Sequence, residues 1–217
     1  MTLNINVNEV QRYLGFGRNK PDERTLKLID ECFAAVKDVA EPRHTYKRFD
    51  LNITDDACIE AAGLRMHSHS LGKNLRGCKE VIFFAATLGQ GPDMLMNRYG
   101  RLDITRAAVL QAVGAAAIED YCNRCQREIE KMLEDEKLYL RPRFSPGYGD
   151  LALTIQPDFL RVINADRTVG IVLSEGGVMI PEKSVTAVMG ISGENNRCHI
   201  EGCELCDRKD CIYRRES

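Results

Sequence analysis

Arg141-Pro142-Arg143-Phe144-Ser145-Pro146-Gly147-Tyr148-Gly149-Asp150 holds two prolines and two glycines within ten residues, so it is neither helix nor central strand. Pro142 and Pro146 stiffen the backbone. Gly147 lets it approach a neighbour closely. Arg141 and Arg143 offer forked donors that suit a carboxylate or a phosphate. Tyr148 offers an aromatic face to a cation. By themselves these residues describe an anion-binding loop or a structured crossover with solvated arginines.

Upstream of the loop, Asp103 to Leu138 contains no proline and only Gly114 among glycines. The spacing predicts one long helix, alanine-rich and buried in its first half, charged and solvated in its second. Cys122 and Cys125 share a face of it. They sit mid-helix, away from the helix start that activates a thiol, and read as two small packed residues. Downstream, a short helix is expected over Pro157 to Asn164 and a strand over Val169 to Leu173. A final strand follows over Ser184 to Ile191.

Nearer the N-terminus, Glu80 to Thr87 is a run of strand length with no polar face, the mark of a strand buried on both sides. Leu88-Gly89-Gln90-Gly91-Pro92 is a turn. Phe49 to Ile53 alternates apolar with polar, as a half-buried strand does. Val7, Val10 and Leu14 fall on one face of a helix that Gly15 and Gly17 end. Pro21 is expected to open a second helix with the stripe Leu26, Ile29, Phe33 and Val36, stopping before Pro42. His67 and His69 would share a face only in a strand, and one such pair does not make a metal site.

The chain has 217 residues, which suggests one domain. Thirty basic against 32 acidic side chains give a net charge of −2, unlike a protein that coats nucleic acid. No run approaches the roughly 18 apolar residues of a membrane span. Met1 to Asn6 lacks a secretory pattern, so a cytoplasmic location is expected. Nine cysteines there point to thiols or metal ligands rather than disulfides. Four of them, Cys198, Cys203, Cys206 and Cys211, are spaced C-x4-C-x2-C-x4-C in an appended tail, residues 193–217. Four thiolates so close together suit an iron–sulfur cluster or zinc. There is no G-x4-GK phosphate loop, no G-x-S-x-G and no hydrolytic triad.

Arg143-Phe144-Ser145-Pro146-Gly147-Tyr148 resembles the R-P-A-P-G-Y loop of the activation domain of cobalamin-dependent methionine synthase. Leu173-Ser174-Glu175-Gly176-Gly177-Val178-Met179-Ile180-Pro181 is similar to that family's L-T-E-S-x-x-M-x-P segment. Ser184-Val185-Thr186-Ala187 continues it as the S-V-S-G strand, and Phe159-Leu160 to Val172 keeps the helix-then-strand spacing between the two. The resemblance is specific over residues 140–192. Ile118-Glu119-Asp120-Tyr121 is similar to the family's A-E-A-F stretch, and the first hundred residues resemble stand-alone versions of the domain. The family's final Y-A-V strand has no counterpart after Ile191, where the cysteine tail stands.

The resemblance implies a single α+β domain over residues 1–192, with helices over about 1–40 and a twisted antiparallel sheet flanked by helices. It implies S-adenosylmethionine as ligand. In the family, one electron and the methyl of S-adenosylmethionine restore methylcobalamin from cob(II)alamin. The nucleophile is the metal, so the protein's task is positioning. Arg143 matches the arginine that binds the cofactor, and its fork suits the methionine carboxylate. Pro146, Gly147 and Tyr148 complete the loop, with Tyr148 toward the sulfonium. Glu119 matches a helix glutamate that holds the amino group. Met179, with Ile180-Pro181, would face the corrin. The cobalamin is expected on a partner in trans, a corrinoid methyltransferase such as methionine synthase, with flavodoxin or ferredoxin as electron donor. The alternative is a non-catalytic metal-binding adaptor that docks on a corrinoid protein.

Overall fold

A six-stranded sheet, antiparallel at every pairing, organises the chain in the order β3-β2-β1-β4-β8-β5. Its strands are β1 (Arg43–Ile53), β2 (Cys58–Ala61), β3 (Leu64–His67), β4 (Glu80–Thr87), β5 (Tyr139–Leu140) and β8 (Ser184–Ser192). Two-residue strands β6 (Val172–Leu173) and β7 (Met179–Ile180) form a separate hairpin. This computed structural model describes residues 3, 5–17, 19–54 and 57–194. The four tail cysteines, Cys198, Cys203, Cys206 and Cys211, lie outside the described residues.

The sheet is covered on both faces, which is why β4 shows no polar alternation. Ile82, Phe84 and Ala86 enter one core, while Val81, Phe83 and Ala85 enter the other. The first core is roofed by α1 (Val7–Tyr13), α2 (Glu23–Val39), α4 (Gly91–Leu102) and α5 (Ile104–Glu134). The second is closed by α3 (His69–Asn74), α6 (Gln156–Ile163), α7 (Ala165–Thr168) and the loop after β5. The fold is thus a single α+β domain, as expected.

The long helix is present over 31 residues, with Asp103 as its N-cap accepting from the Arg106 amide at 3.0 Å. Three of its alanines, Ala112, Ala116 and Ala117, are buried together with Cys122 and Cys125, so the C-x2-C pair packs as small core residues.

Several local expectations are corrected. Pro21 does not open the second helix. Asp22 is the N-cap and its carboxylate accepts from the Thr25 amide at 2.8 Å, so the helix begins at Glu23. Cys32, not Leu26, shares the buried stripe with Ile29 and Val36. Gly91 and Pro92 belong to the first turn of α4 rather than to the preceding turn. The strand expected from Val169 is reduced to Val172–Leu173 because Val169 caps α7 and Gly170 turns at φ +74°. Hairpin β2–β3 turns through Ala62 and Gly63, both at positive φ, and like α3 it was not anticipated.

Candidate functional site

The loop after β5 runs along β8 and is tied to the fold at three places. Arg141 N donates to Gly190 O at 2.8 Å. Phe144 and Val188 exchange two backbone bonds of 2.9 and 2.8 Å. At its far end Asp150 caps α3, accepting from Ser68 Oγ at 2.5 Å, His69 N at 2.7 Å and Ser70 N at 3.1 Å. These bonds, the Ser68 hydroxyl first, hold the Asp150 carboxyl well below the usual carboxylate range. The loop is therefore a rigid frame.

Successive residues of this extended segment go to opposite sides. Phe144 enters the second core. Arg143 turns toward α5 and meets three acceptors there: Glu119 Oε2 at 3.0 Å, Asn123 Oδ1 at 2.8 Å and Gln126 Oε1 at 3.1 Å. Positions 119, 123 and 126 lie on one helical face, so α5 presents them as a row. The Arg143 side chain is only 15 % exposed and that of Glu119 33 %, so the pair is sheltered yet reachable.

A cleft of about 320 Å³ adjoins this pair. It is lined by Asn6 and Glu9 of the N-terminal segment and by Ala116, Glu119, Asp120 and Asn123 of α5. Glu9 pairs with Arg12 at 2.6 Å and Asp120 with Arg124 at 3.3 Å. Burial, and then the charge of Glu119, pushes the Tyr13 hydroxyl up. Behind Arg143, burial pushes the Cys122 thiol far up and the Cys125 thiol to about 11. Neither is a poised nucleophile.

The remaining expected residues fall as follows. Pro146 is half-buried. Gly147 takes φ +86° and donates to Leu151 O at 2.8 Å, a conformation that favours glycine. Tyr148 is 44 % exposed, its ring edge-on to Phe144 at 5.6 Å. Met179 lies on the β6–β7 hairpin with its sulfur 3.3 Å from Gln156 Nε2. Its link to the loop runs through the 3-10 turn Leu153–Ile155, whose Leu153 lies against Gly147. The structure thus brings Arg143 and Glu119 into contact, and sets Tyr148 against Phe144 rather than against that pair.

Arg141 is a correction. It is 5 % exposed and its guanidinium donates to Arg76 O at 3.4 Å, so it serves the interior and not an anion in solvent. Asn123, Gln126, Asn6 and Glu9 were not singled out from sequence. The spacing of 119, 123 and 126 carried the signal for the first two. His67 ends β3 and His69 begins α3. Among the described residues no group of three or more His, Cys, Asp or Glu could hold a metal ion. No helix among them is long and apolar enough to cross a membrane.

No family model matches the sequence, and no curated protein is similar to it. A solved structure is: the crystal structure of the MetH reactivation domain bound to AdoHcy. It superimposes with a TM-score of 0.60 over 85 % of this chain and 75 % of that one, at 14 % identity. The two share a fold. At that identity the likeness speaks for architecture, and the residues must speak for chemistry.

Proposed function

We propose that this chain is a stand-alone reactivation protein that supports reductive methylation of cob(II)alamin on a corrinoid methyltransferase, most simply methionine synthase, with S-adenosylmethionine as methyl donor. One observation carries the reading. Arg143 stands 3.0 Å from Glu119 on a rigid loop, in a fold shared with a domain crystallised with AdoHcy. An amino-acid zwitterion needs a cation and an anion side by side, and this pair supplies both. The ligand carboxylate takes the Arg143 fork while its ammonium takes Glu119, so one ion pair exchanges for two. In this reading Tyr148 offers its exposed ring to the sulfonium, on the loop that Pro146 and Gly147 shape. Met179 and the hairpin beside it meet the corrin.

The reaction asks no acid or base of the protein. The methyl leaves the sulfonium with its bonding pair retained by sulfur, which yields S-adenosylhomocysteine. One electron from a donor such as flavodoxin or ferredoxin readies the partner's corrinoid to accept it. What this chain contributes is position.

In this reading residues 1–192 form the ligand-binding body and residues 193–217 a metal-binding tail. Cys198, Cys203, Cys206 and Cys211 hold an iron–sulfur cluster or zinc. A cluster there would pass the electron onward. Stoichiometric zinc without iron in anaerobically prepared protein would remove that role and leave a structural knuckle.

The deciding experiment is calorimetric titration of S-adenosylmethionine into the protein, alone and with a cob(II)alamin-loaded synthase fragment. Binding in the micromolar range, or binding that needs the partner, supports reactivation. No heat in either case, from folded protein, leaves the non-catalytic adaptor.

A further inference from the structure

Arg48 and Arg143 hold their acceptors in different ways. Arg48 gives its Nε–Nη2 edge to one carboxylate, Glu80, at 2.7 and 2.6 Å, and its Nη1 to a second, Glu136, at 2.8 Å. Two carboxylates more than offset that guanidinium's charge. Arg143 instead meets one carboxylate and two amides. Its Nη2 donates to Glu119 Oε2 at 3.0 Å and Asn123 Oδ1 at 2.8 Å, and its Nη1 to Gln126 Oε1 at 3.1 Å. Among the described residues nothing accepts from its Nε. Gln126 is itself held, since its Nε2 donates to Glu130 Oε1 at 2.9 Å one turn further along α5. That bond commits its oxygen to Arg143. Cys122 and Cys125, behind the guanidinium, are kept neutral by burial. Among the described residues Glu119 is therefore the one charged acceptor of Arg143.

We propose that Gln126, with Asn123, is a positioning residue: a neutral acceptor that keeps the Arg143 fork oriented, and its charge uncompensated, when Glu119 turns to the ligand's ammonium. The proposal deepens the function proposed above and rests on that reading, since it seats the ligand carboxylate at Arg143. Departure of Glu119 frees an Nη2 proton beside the Nε–H, the same edge that Arg48 gives to Glu80. The ligand carboxylate takes that edge bidentately while Nη1 stays on Gln126. A carboxylate at 126 would hold Arg143 equally well and repel the ligand. An amide holds it and leaves the charge for the ligand.

Calorimetric titration of the full chain tests this with two ligands. S-adenosylhomocysteine carries the amino-acid end, and 5′-methylthioadenosine keeps the adenosine and the thioether without it. Gln126→Glu should weaken S-adenosylhomocysteine by about tenfold, because it sets a second carboxylate on the Arg143 fork. Gln126→Leu should weaken it by about threefold, because it only loosens the fork. Neither variant should change the affinity for 5′-methylthioadenosine. A purely structural role gives the opposite order, since Glu keeps the bond to Arg143 and Leu does not. Leu as the more damaging change, equal losses for both ligands, or no loss for either would each overturn the proposal. Where 5′-methylthioadenosine binds too weakly to titrate, the order of the two variants decides alone. Asn123→Asp makes the same charge test at the second amide, with a similar loss expected, should Gln126→Glu fail to fold. If the wild type binds S-adenosylhomocysteine and the variants match it, only the role of Gln126 falls. If the wild type binds neither ligand, the function proposed above fails and takes this role with it.

Discussion

The two faces of the sheet are closed by different means. One is roofed by helices of 17, 12 and 31 residues, with α1 as a short fourth. The other is closed by helices of 6, 8 and 4 residues, joined by loops. The long roof supplies a straight row of acceptors, and the broken one supplies the loop that carries Arg143 to it. Phe144 and Arg143 are neighbours in sequence yet serve opposite faces. The candidate site therefore stands at the edge of the sheet, where the two modes of construction meet.

The strongest way to break this comparison is to empty each face in turn. Phe83 stacks on Phe159 at 4.6 Å and meets Phe49 edge-on at 5.2 Å, whereas Phe84 faces His44 at 6.2 Å. Phe83→Ala and Phe84→Ala should each cost about 3–5 kcal/mol in denaturant titrations. Phe83→Ala should be the costlier by about 1 kcal/mol, because it also loses two ring contacts. The reverse order would mean that the helical roof, not the aromatic cluster, sets the stability.

Next in size is Arg143→Ala, which severs the seam. S-adenosylmethionine should bind about 30-fold more weakly, near 2 kcal/mol, when measured by calorimetry. Unchanged affinity would show that the ligand does not sit at Arg143. A smaller loss of about 1 kcal/mol is expected for Asp150→Asn at neutral pH, since the amide caps α3 less well. The Asp150 pKa is lowered in the fold, so its contribution is present above about pH 4 and fades as pH falls toward the folded pKa. Wild type and variant should therefore converge in acid melts.

The smallest effect concerns His44, whose Nδ1 lies 2.9 Å from Tyr121 Oη. Burial, opposed by the charge of Glu128, lowers its pKa from the ordinary 6.5. The wild type should lose under about 1 kcal/mol as pH falls from 6.5 toward the folded value. His44→Phe should be flat over the same window, and a parallel decline in both proteins would refute the assignment.

The contrast also explains what could be read from sequence. Long elements with one dominant requirement were legible: α5 by its freedom from glycine and proline, β4 by its unbroken apolar run. Short elements were legible only in part: α1, α6 and the residues of β6 were expected, whereas β7 holds two residues and α7 four, too few for period or composition to declare them. Arg143 and Glu119 were found through a resemblance, not through spacing. What sequence could not give was that Arg141, of the same type two residues away, is turned inward to Arg76 O. That choice depends on which side of the edge the backbone faces, which tertiary packing decides. Asn123 and Gln126 follow once Arg143 is known to cross to α5.

The β4–β8 ladder pairs Val81 with Gly190, residues more than a hundred positions apart, and β8 supplies Ala187 and Met189 to one core and Val188 to the other. Both cores stay open along one side of β4 until that late strand arrives. Ladders of such long range close slowly, and an apolar edge left waiting invites association. During synthesis the chain thus carries an unpaired, doubly apolar edge through most of its length. Its vulnerable interval is the time before β8 emerges, and a truncation ahead of Ser184 would make that interval permanent.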